Sequence, residues 1–247
     1  MKKYIRAFLM CQSMFCAIPF PCKVWDEEAR PKMLLFLPLI GLEMGVLWAG
    51  LGWLCRRLAL PQTIIGLVLC VFPFLISGFL HLDGFLDVTD AVGSCRDFEK
   101  RRAILKDSHV GSFAVIGCCL LMLCQFAFCV TGTGTLRPLM LIPVVSRCCS
   151  ALAVTVLRPM STSQYAGAFR VGTSGKQAAV FLLLLTVCIA AAFLLWGKYG
   201  FVLLGGLAGY ALALQKGFRS LDGMNGDISG FALTLSELAA LAVWALI

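Results

Sequence analysis

Apolar runs of membrane-crossing length constrain this chain more than any other feature. A helix of roughly 17 to 25 predominantly apolar residues crosses a hydrocarbon core of about 30 Å. Such runs occur at about 34–55, 61–80, 111–131, 138–157, 178–196, 200–214 and 229–247. Lipid offers backbone groups no hydrogen-bond partner, so runs of this kind fold as helices that satisfy themselves. The expected architecture is therefore an all-α polytopic bundle of about seven transmembrane helices, with residues 1–247 forming a single integral membrane domain; the sixth run is the shortest. Composition agrees. Hydrophobic residues make up 60% of the chain and charged residues 14%, where soluble domains carry roughly 25% charge. A soluble globular enzyme, a disordered chain, a disulfide-stapled mini-domain and a coiled coil are all excluded.

The net charge of +8 does not signal nucleic-acid binding, because the 21 Lys and Arg are scattered over short loops. It reports topology instead. With the N-terminus in the cytoplasm, the inside segments 1–33, 81–110, 158–177 and 215–228 hold six, five, three and two basic residues. The outside loops hold two, one and one. Sixteen against four is a strong positive-inside bias. It places the protein in the inner (cytoplasmic) membrane with its acidic motifs facing the cytoplasm. The thirteen Cys sit largely inside apolar runs and form no C-x-x-C pair, which suits small apolar packing groups in reduced surroundings. The first twenty residues lack a small-x-small cleavage site, so they read as a membrane-surface helix ending at Pro19 and Pro21. The GTSGK stretch (172–176) fails as a phosphate loop, since Arg170 stands at its first Gly position and Gln177 at its hydroxyl position.

The chemistry concentrates in HLDGFLDVTDAVGSCRDFEKRRAILKDSHVG, residues 81–111. Asp83, Asp87 and Asp90 are spaced i, i+4, i+7. If the second span continues as a helix, that spacing lines three carboxylates along one face. Like charges so placed repel, and an apolar boundary adds desolvation, so a cation is expected to offset them. Mg²⁺ fits, because it takes one or two carboxylates and keeps waters and substrate phosphates in its other positions. A second acidic motif, LDGMNGDISG (221–230), sets Asp222 and Asp227 around two glycines between the sixth and seventh spans. Two carboxylate groups meeting on one diphosphate would suit metal-assisted phosphoryl transfer. Glu43, Arg147 and Glu237 fall within predicted spans, where ionisable groups face a cavity or each other.

These residues resemble a known family. HLDGFLDVTDA is similar to the H-x-D-G-x-x-D-x-x-D signature of cobalamin synthases, the adenosylcobinamide-GDP ribazoletransferases. The likeness continues in order through FCAIPFP, LPLIGLEMG, LKDSHVGSFA, the arginine of VVSRCCS, and RSLDGMNGDISGFALTLSE. His109 stands where the family usually has Arg, and Asp222 and Asn225 replace its common Gly and Thr. The resemblance implies that a hydroxyl of α-ribazole, or of its 5′-phosphate, attacks the cobinamide-linked phosphorus of adenosylcobinamide-GDP and releases GMP. It implies Asp83, Asp87 and Asp90 as ligands of Mg²⁺ and the diphosphate, with one of them or Asp227 as general base. His81, Arg96, Lys106, Asp107, Arg219, Asp222 and Glu237 are the further substrate-binding candidates. A homo-oligomer is compatible with the sequence, which does not fix the oligomeric state. Two rival readings stand beside this one. A CDP-alcohol phosphotransferase would need D-x-x-D-G-x-x-A-R followed by G-x-x-x-D-x-x-x-D, and neither occurs. An ion-coupled transporter would use Glu43, Arg147 and Glu237 at mid-membrane, whereas the densest acids lie at a membrane face.

Overall fold

The computed structural model describes residues 2–19, 24–161 and 175–247. Pro21 and most of the GTSGK stretch lie outside these residues. Ten α-helices are described: α1 (Lys2–Phe15), α2 (Leu37–Arg57), α3 (Gln62–Ile76), α4 (Leu80–Gly93), α5 (Phe98–Ile104), α6 (Ser112–Thr131), α7 (Ile142–Val156), α8 (Gly175–Trp196), α9 (Gly200–Leu221) and α10 (Gly226–Leu246). Short 3₁₀ segments at Arg30–Phe36 and Arg137–Met140 lead into α2 and α7. The described residues contain no strand, only one isolated parallel bridge between Pro159 and Met224.

Among the described residues, five continuous helical runs are long and apolar enough to cross a membrane: Arg30–Arg57, Ser112–Thr131, Arg137–Val156, Gly175–Leu221 and Gly226–Leu246. The fourth, at 47 residues, would be ~70 Å long if straight. It is a hairpin. Gly197 takes a left-handed φ of 59°, and the Phe193 ring meets Phe201 at 5.0 Å across the reversal. Leu182 of α8 and Leu214 of α9 line one cavity although 32 positions apart in sequence. The chain is thus a multi-pass membrane helical bundle, as its apolar runs require.

The second span departs from expectation. The helix does not continue from residue 61 into the acidic cluster: α3 stops at Ile76, and α4 leaves at 91° to it. Pro73 withholds a backbone donor near the end of α3. The Leu69 carbonyl, left without its helical partner, accepts instead from Trp48 Nε1 at 2.9 Å, and Ser77 Oγ donates to the Pro73 carbonyl at 2.8 Å. Gly78 and Phe79 then both adopt positive φ, 61° and 62°, which glycine takes freely and phenylalanine does not. The i, i+4, i+7 spacing of the three aspartates survives, because α4 is itself a helix.

Sidedness is visible in the packing. α5 reaches the end of α9, where Arg101 donates to the Ser220 carbonyl at 3.3 Å and Arg102 to that of Leu221 at 3.2 Å. The Arg158 backbone accepts from Met224 N at 2.9 Å, and Phe15 of α1 stacks on His81. The described residues of the four segments rich in basic residues therefore gather at one end. At the other, Arg56 donates to Gly134 O at 2.8 Å and Lys198 to Ile247 O at 2.5 Å.

The N-terminal helix packs one face against the rest of the bundle. α1 ends at Phe15, before Pro19, and buries Ala7, Met10, Cys11, Gln12 and Phe15. Lys3 pairs with Glu28 at 2.8 Å and Arg6 with Asp26 at 2.9 Å, so its basic start is held by the segment leading to α2. No disulfide forms among the described residues, and the twelve cysteines there are free.

Candidate active site

The two acidic motifs meet because α4 and α10 cross with almost no space between their backbones. Gly84, the glycine inside HLDGFLD, faces Asp227: a Cβ there would fall 2.8 Å from the Asp227 carbonyl oxygen. Gly230 answers from α10, where a Cβ would lie 3.0 Å from the His81 carbonyl oxygen. Thr234 Oγ donates to that same carbonyl at 3.2 Å, and Phe85 stacks on Phe231 at 5.7 Å. Any larger residue at position 84 would push the helices, and the carboxylates they carry, apart.

Beside this crossing lies a cavity of about 360 Å³, within the usual range for small-ligand sites. Asp83 and His81 of α4 face it, together with Asn225, Asp227 and Ser229 from the start of α10. Arg102 of α5, Lys106 just beyond it and Ser150 of α7 complete the polar lining. Met14 and Phe15 of α1, with Leu34 and Leu37, form the apolar wall. One side of the cavity is thus acidic, another basic, and a third apolar.

Four carboxylates cluster at this crossing: Asp83 and Asp227 line the cavity, while Asp87, on which Asp83, Asp227 and Asp90 all bear, and Asp90 itself lie outside its lining. None of the four belongs to an ion pair among the described residues. Asp227 is fixed by Asn225, whose Nδ2 donates to its Oδ2 at 2.6 Å. The same Asn225 caps α10, its Oδ1 accepting from Ile228 N at 2.9 Å. One residue thus sets both the helix start and the carboxylate, a role that its departure from the family's common Thr did not disclose. Asp90 leans toward the start of α6, accepting from Ala114 N at 3.4 Å, where the helix dipole favours a negative charge.

The remaining candidates are dispersed. Asp222 is C-terminal to α9 with φ 58°. Its carboxylate is held by Arg102 at 3.3 Å and by Arg158, which ties the loop to α5 and to residues 158–160 rather than aiming it at the cavity. Lys106 lines the cavity, but its neighbour Asp107 is exposed and turned to His109, whose Nδ1 lies 2.6 Å from its Oδ1. That contact holds the Asp107 carboxyl below the usual carboxylate range. Arg96 is exposed. Arg219 lines a separate groove with Arg101 and Lys216.

Glu237 is buried and paired with Arg147, while Ser146 Oγ donates to it at 2.9 Å. Glu43 accepts from Gln12 Nε2 at 3.1 Å. The mid-span ions therefore face partners, as their cost in lipid demands. Two hydroxyls escaped the sequence reading: Ser150 and Ser229, 2.5 Å apart, both line the cavity. Ser229 lies within the second acidic motif and Ser150 ends VVSRCCS, but only the fold brings the two hydroxyls together.

Among the described residues no three His, Cys, Asp or Glu side chains form a ready-made metal shell. The donors are nevertheless of the right chemistry for a hard divalent cation. They are carboxylate oxygens in uncompensated excess, too few to enclose an ion, as suits Mg²⁺, which completes its shell with water and substrate phosphate.

The sequence profile of the cobalamin-5-phosphate synthase family matches residues 7–245. An adenosylcobinamide-GDP ribazoletransferase of Clostridium perfringens (strain SM101) is 36% identical, with all of both chains covered. Proteins of the same name from Clostridium botulinum (strain Alaska E43) and Geotalea daltonii are 34% and 32% identical. The first covers 98% of this chain and 97% of its own, the second 96% of each. No solved structure matches the chain.

Proposed function

The chain belongs to the cobalamin-5-phosphate synthase family, and from that premise we propose that it acts as an adenosylcobinamide-GDP ribazoletransferase at the α4–α10 cavity. It is an enzyme of cobalamin synthesis. In the proposed reaction a ribose hydroxyl of α-ribazole, or of its 5′-phosphate, forms a bond to the cobinamide-linked phosphorus of adenosylcobinamide-GDP. The bond to the GMP oxygen breaks, GMP leaves, and the hydroxyl proton passes to a cavity carboxylate. The observation that carries this reading is the opening of Asp83 and Asp227, from motifs over 140 residues apart, into one cavity also lined by Arg102 and Lys106.

Each side of the cavity has a task in this scheme. Asp227, oriented by Asn225, is the residue we assign as base, since a base must be held within hydrogen-bond reach of the proton it takes. Lys106 and Arg102 favour the diphosphate and the leaving GMP by charge-assisted hydrogen bonds. Ser150 and Ser229 supply hydroxyls for orienting sugar or phosphate oxygens. The Phe15 and Met14 wall excludes water from the reacting end. Asp83 and Asp87, with Asp90 beside them, are the proposed Mg²⁺ ligands. Bound there, the ion would neutralise diphosphate charge and act as a Lewis acid toward phosphoryl oxygen. We further propose that this end of the bundle faces the cytoplasm, supported by the basic excess that the sequence assigns to the four segments whose described residues gather there.

The test is GMP release from purified protein in lipid, supplied with adenosylcobinamide-GDP, α-ribazole 5′-phosphate and Mg²⁺. GMP appearing in proportion to cobalamin product, and only with both substrates, is expected. Turnover of a CDP-alcohol with a second alcohol, and none of the cobinamide substrate, would overturn the assignment.

A further inference from the structure

Apart from the catalytic cavity, a groove of about 440 Å³ runs between α5 and the last turns of α9, lined by Arg101, Leu212, Gln215, Lys216, Arg219 and Ser220. Its three cations make no ion pair among the described residues. The contrast with the adjacent Arg102 is direct: that side chain is neutralised by Asp222, while Arg101 holds only the Ser220 carbonyl through Nη1. Arg101 Nε is shielded from solvent and has no hydrogen-bond partner. That nitrogen lies beneath the surface, and it is the three cations without a counter-charge around the groove that call for an anionic acceptor.

Its level on the helix says what kind of acceptor. α9 is apolar from Phe201 to Leu214 apart from its glycines and Tyr210, and turns polar at Gln215. Leu212, 69% exposed, forms the apolar edge of the groove, with Lys216 and Arg219 one and two turns further on. A cationic groove bordered by lipid-facing leucine lies where headgroups lie, and basic residues there attract anionic lipid. A soluble phosphate would satisfy the cations and leave Leu212 without a partner.

We infer that this groove binds the phosphate headgroup of an anionic phospholipid, with Arg101, Lys216 and Arg219 as its cations and Leu212 against the acyl chain. The site is independent of the proposed reaction. It is tested with delipidated protein in neutral detergent, equilibrated with equal amounts of phosphatidylglycerol and phosphatidylcholine of the same chains. Lipid retained after gel filtration is counted by mass spectrometry. The wild type should retain phosphatidylglycerol in preference. Lys216→Gln with Arg219→Gln should lower that preference by roughly an order of magnitude, while the charge-keeping Lys216→Arg with Arg219→Lys should preserve it. Equal retention of the two lipids by the wild type, or an unchanged preference in the Gln variant, would overturn the inference. So would displacement of the lipid by millimolar inorganic phosphate, which would show a site for a free anion.

Discussion

Two groups of charged side chains in this bundle are built in opposite ways. At Arg147 and Glu237 one cation meets one anion inside the helices, with Ser146 hydrogen-bonded to both. At the α4–α10 crossing Asp83, Asp87 and Asp227 bear on one another and none has a cationic partner. The first arrangement is balanced in charge and holds α7 to α10. The second is short of positive charge, and a fold that tolerates such repulsion at a cavity wall has left room for a cationic or cation-bearing ligand. The paired ions are buried, whereas Asp83 and Asp227 of the unpaired carboxylates keep access to the cavity, and the two groups differ in the balance of their partners as well as in depth.

Removing a carboxylate from each place should separate the two most sharply. Asp87→Asn is expected to lower GMP release by about 10³-fold without lowering the melting temperature, because it relieves repulsion along α4. Assaying turnover and thermal unfolding on one preparation checks both halves. A variant that loses turnover only in proportion to its folded fraction would erase the distinction.

Glu237→Gln should do the reverse. It leaves the Arg147 guanidinium buried without its counter-charge, at a cost of about 3 kcal/mol in stability, while turnover per folded molecule stays near the wild-type level. Pairing it with Arg147→Met should recover part of the loss, since a buried pair replaced as a whole is far less costly than one broken in half. Denaturation midpoints of the two single variants and the double variant measure this. Additive losses would mean that the pair is not closed on itself.

The smallest effect belongs to Asp222, which sits in the second acidic motif yet outside the cavity lining. Asp222→Gly gives up a half-exposed ion pair with Arg102 and Arg158, worth about 1 kcal/mol or less. It places glycine at a left-handed position, which partly offsets that loss. Turnover within about threefold of wild type is expected, read from initial rates of GMP release.

The same contrast shows what a sequence of this kind discloses. Span positions and the common end of the basic segments were legible because lipid imposes length and loops impose charge, both one-dimensional quantities. The meeting of the two acidic motifs was legible as chemistry, from carboxylates needing one ligand. The 91° turn at Gly78 was not, since its signals, Pro73, Ser77 and Gly78, lie inside an unbroken apolar run. Nor were the different duties of neighbours. Asp227 and Asp222 look alike in LDGMNGDISG, but Arg102 and Arg158, 120 and 64 positions away from Asp222, engage only the latter. The contact of Phe15 was not legible either, because its stacking on His81 depends on where α1 is carried by the fold.

The central claim is that Asp83 and Asp227 serve one site, and a double-mutant cycle on GMP release tests it most directly. Asp83→Asn and Asp227→Asn are each expected to leave about 1% of turnover, and the double variant about the same, because groups that act as a unit lose their effect together. Losses that multiply, to about 0.01% in the double variant, would contradict the claim and place the two carboxylates in separate roles.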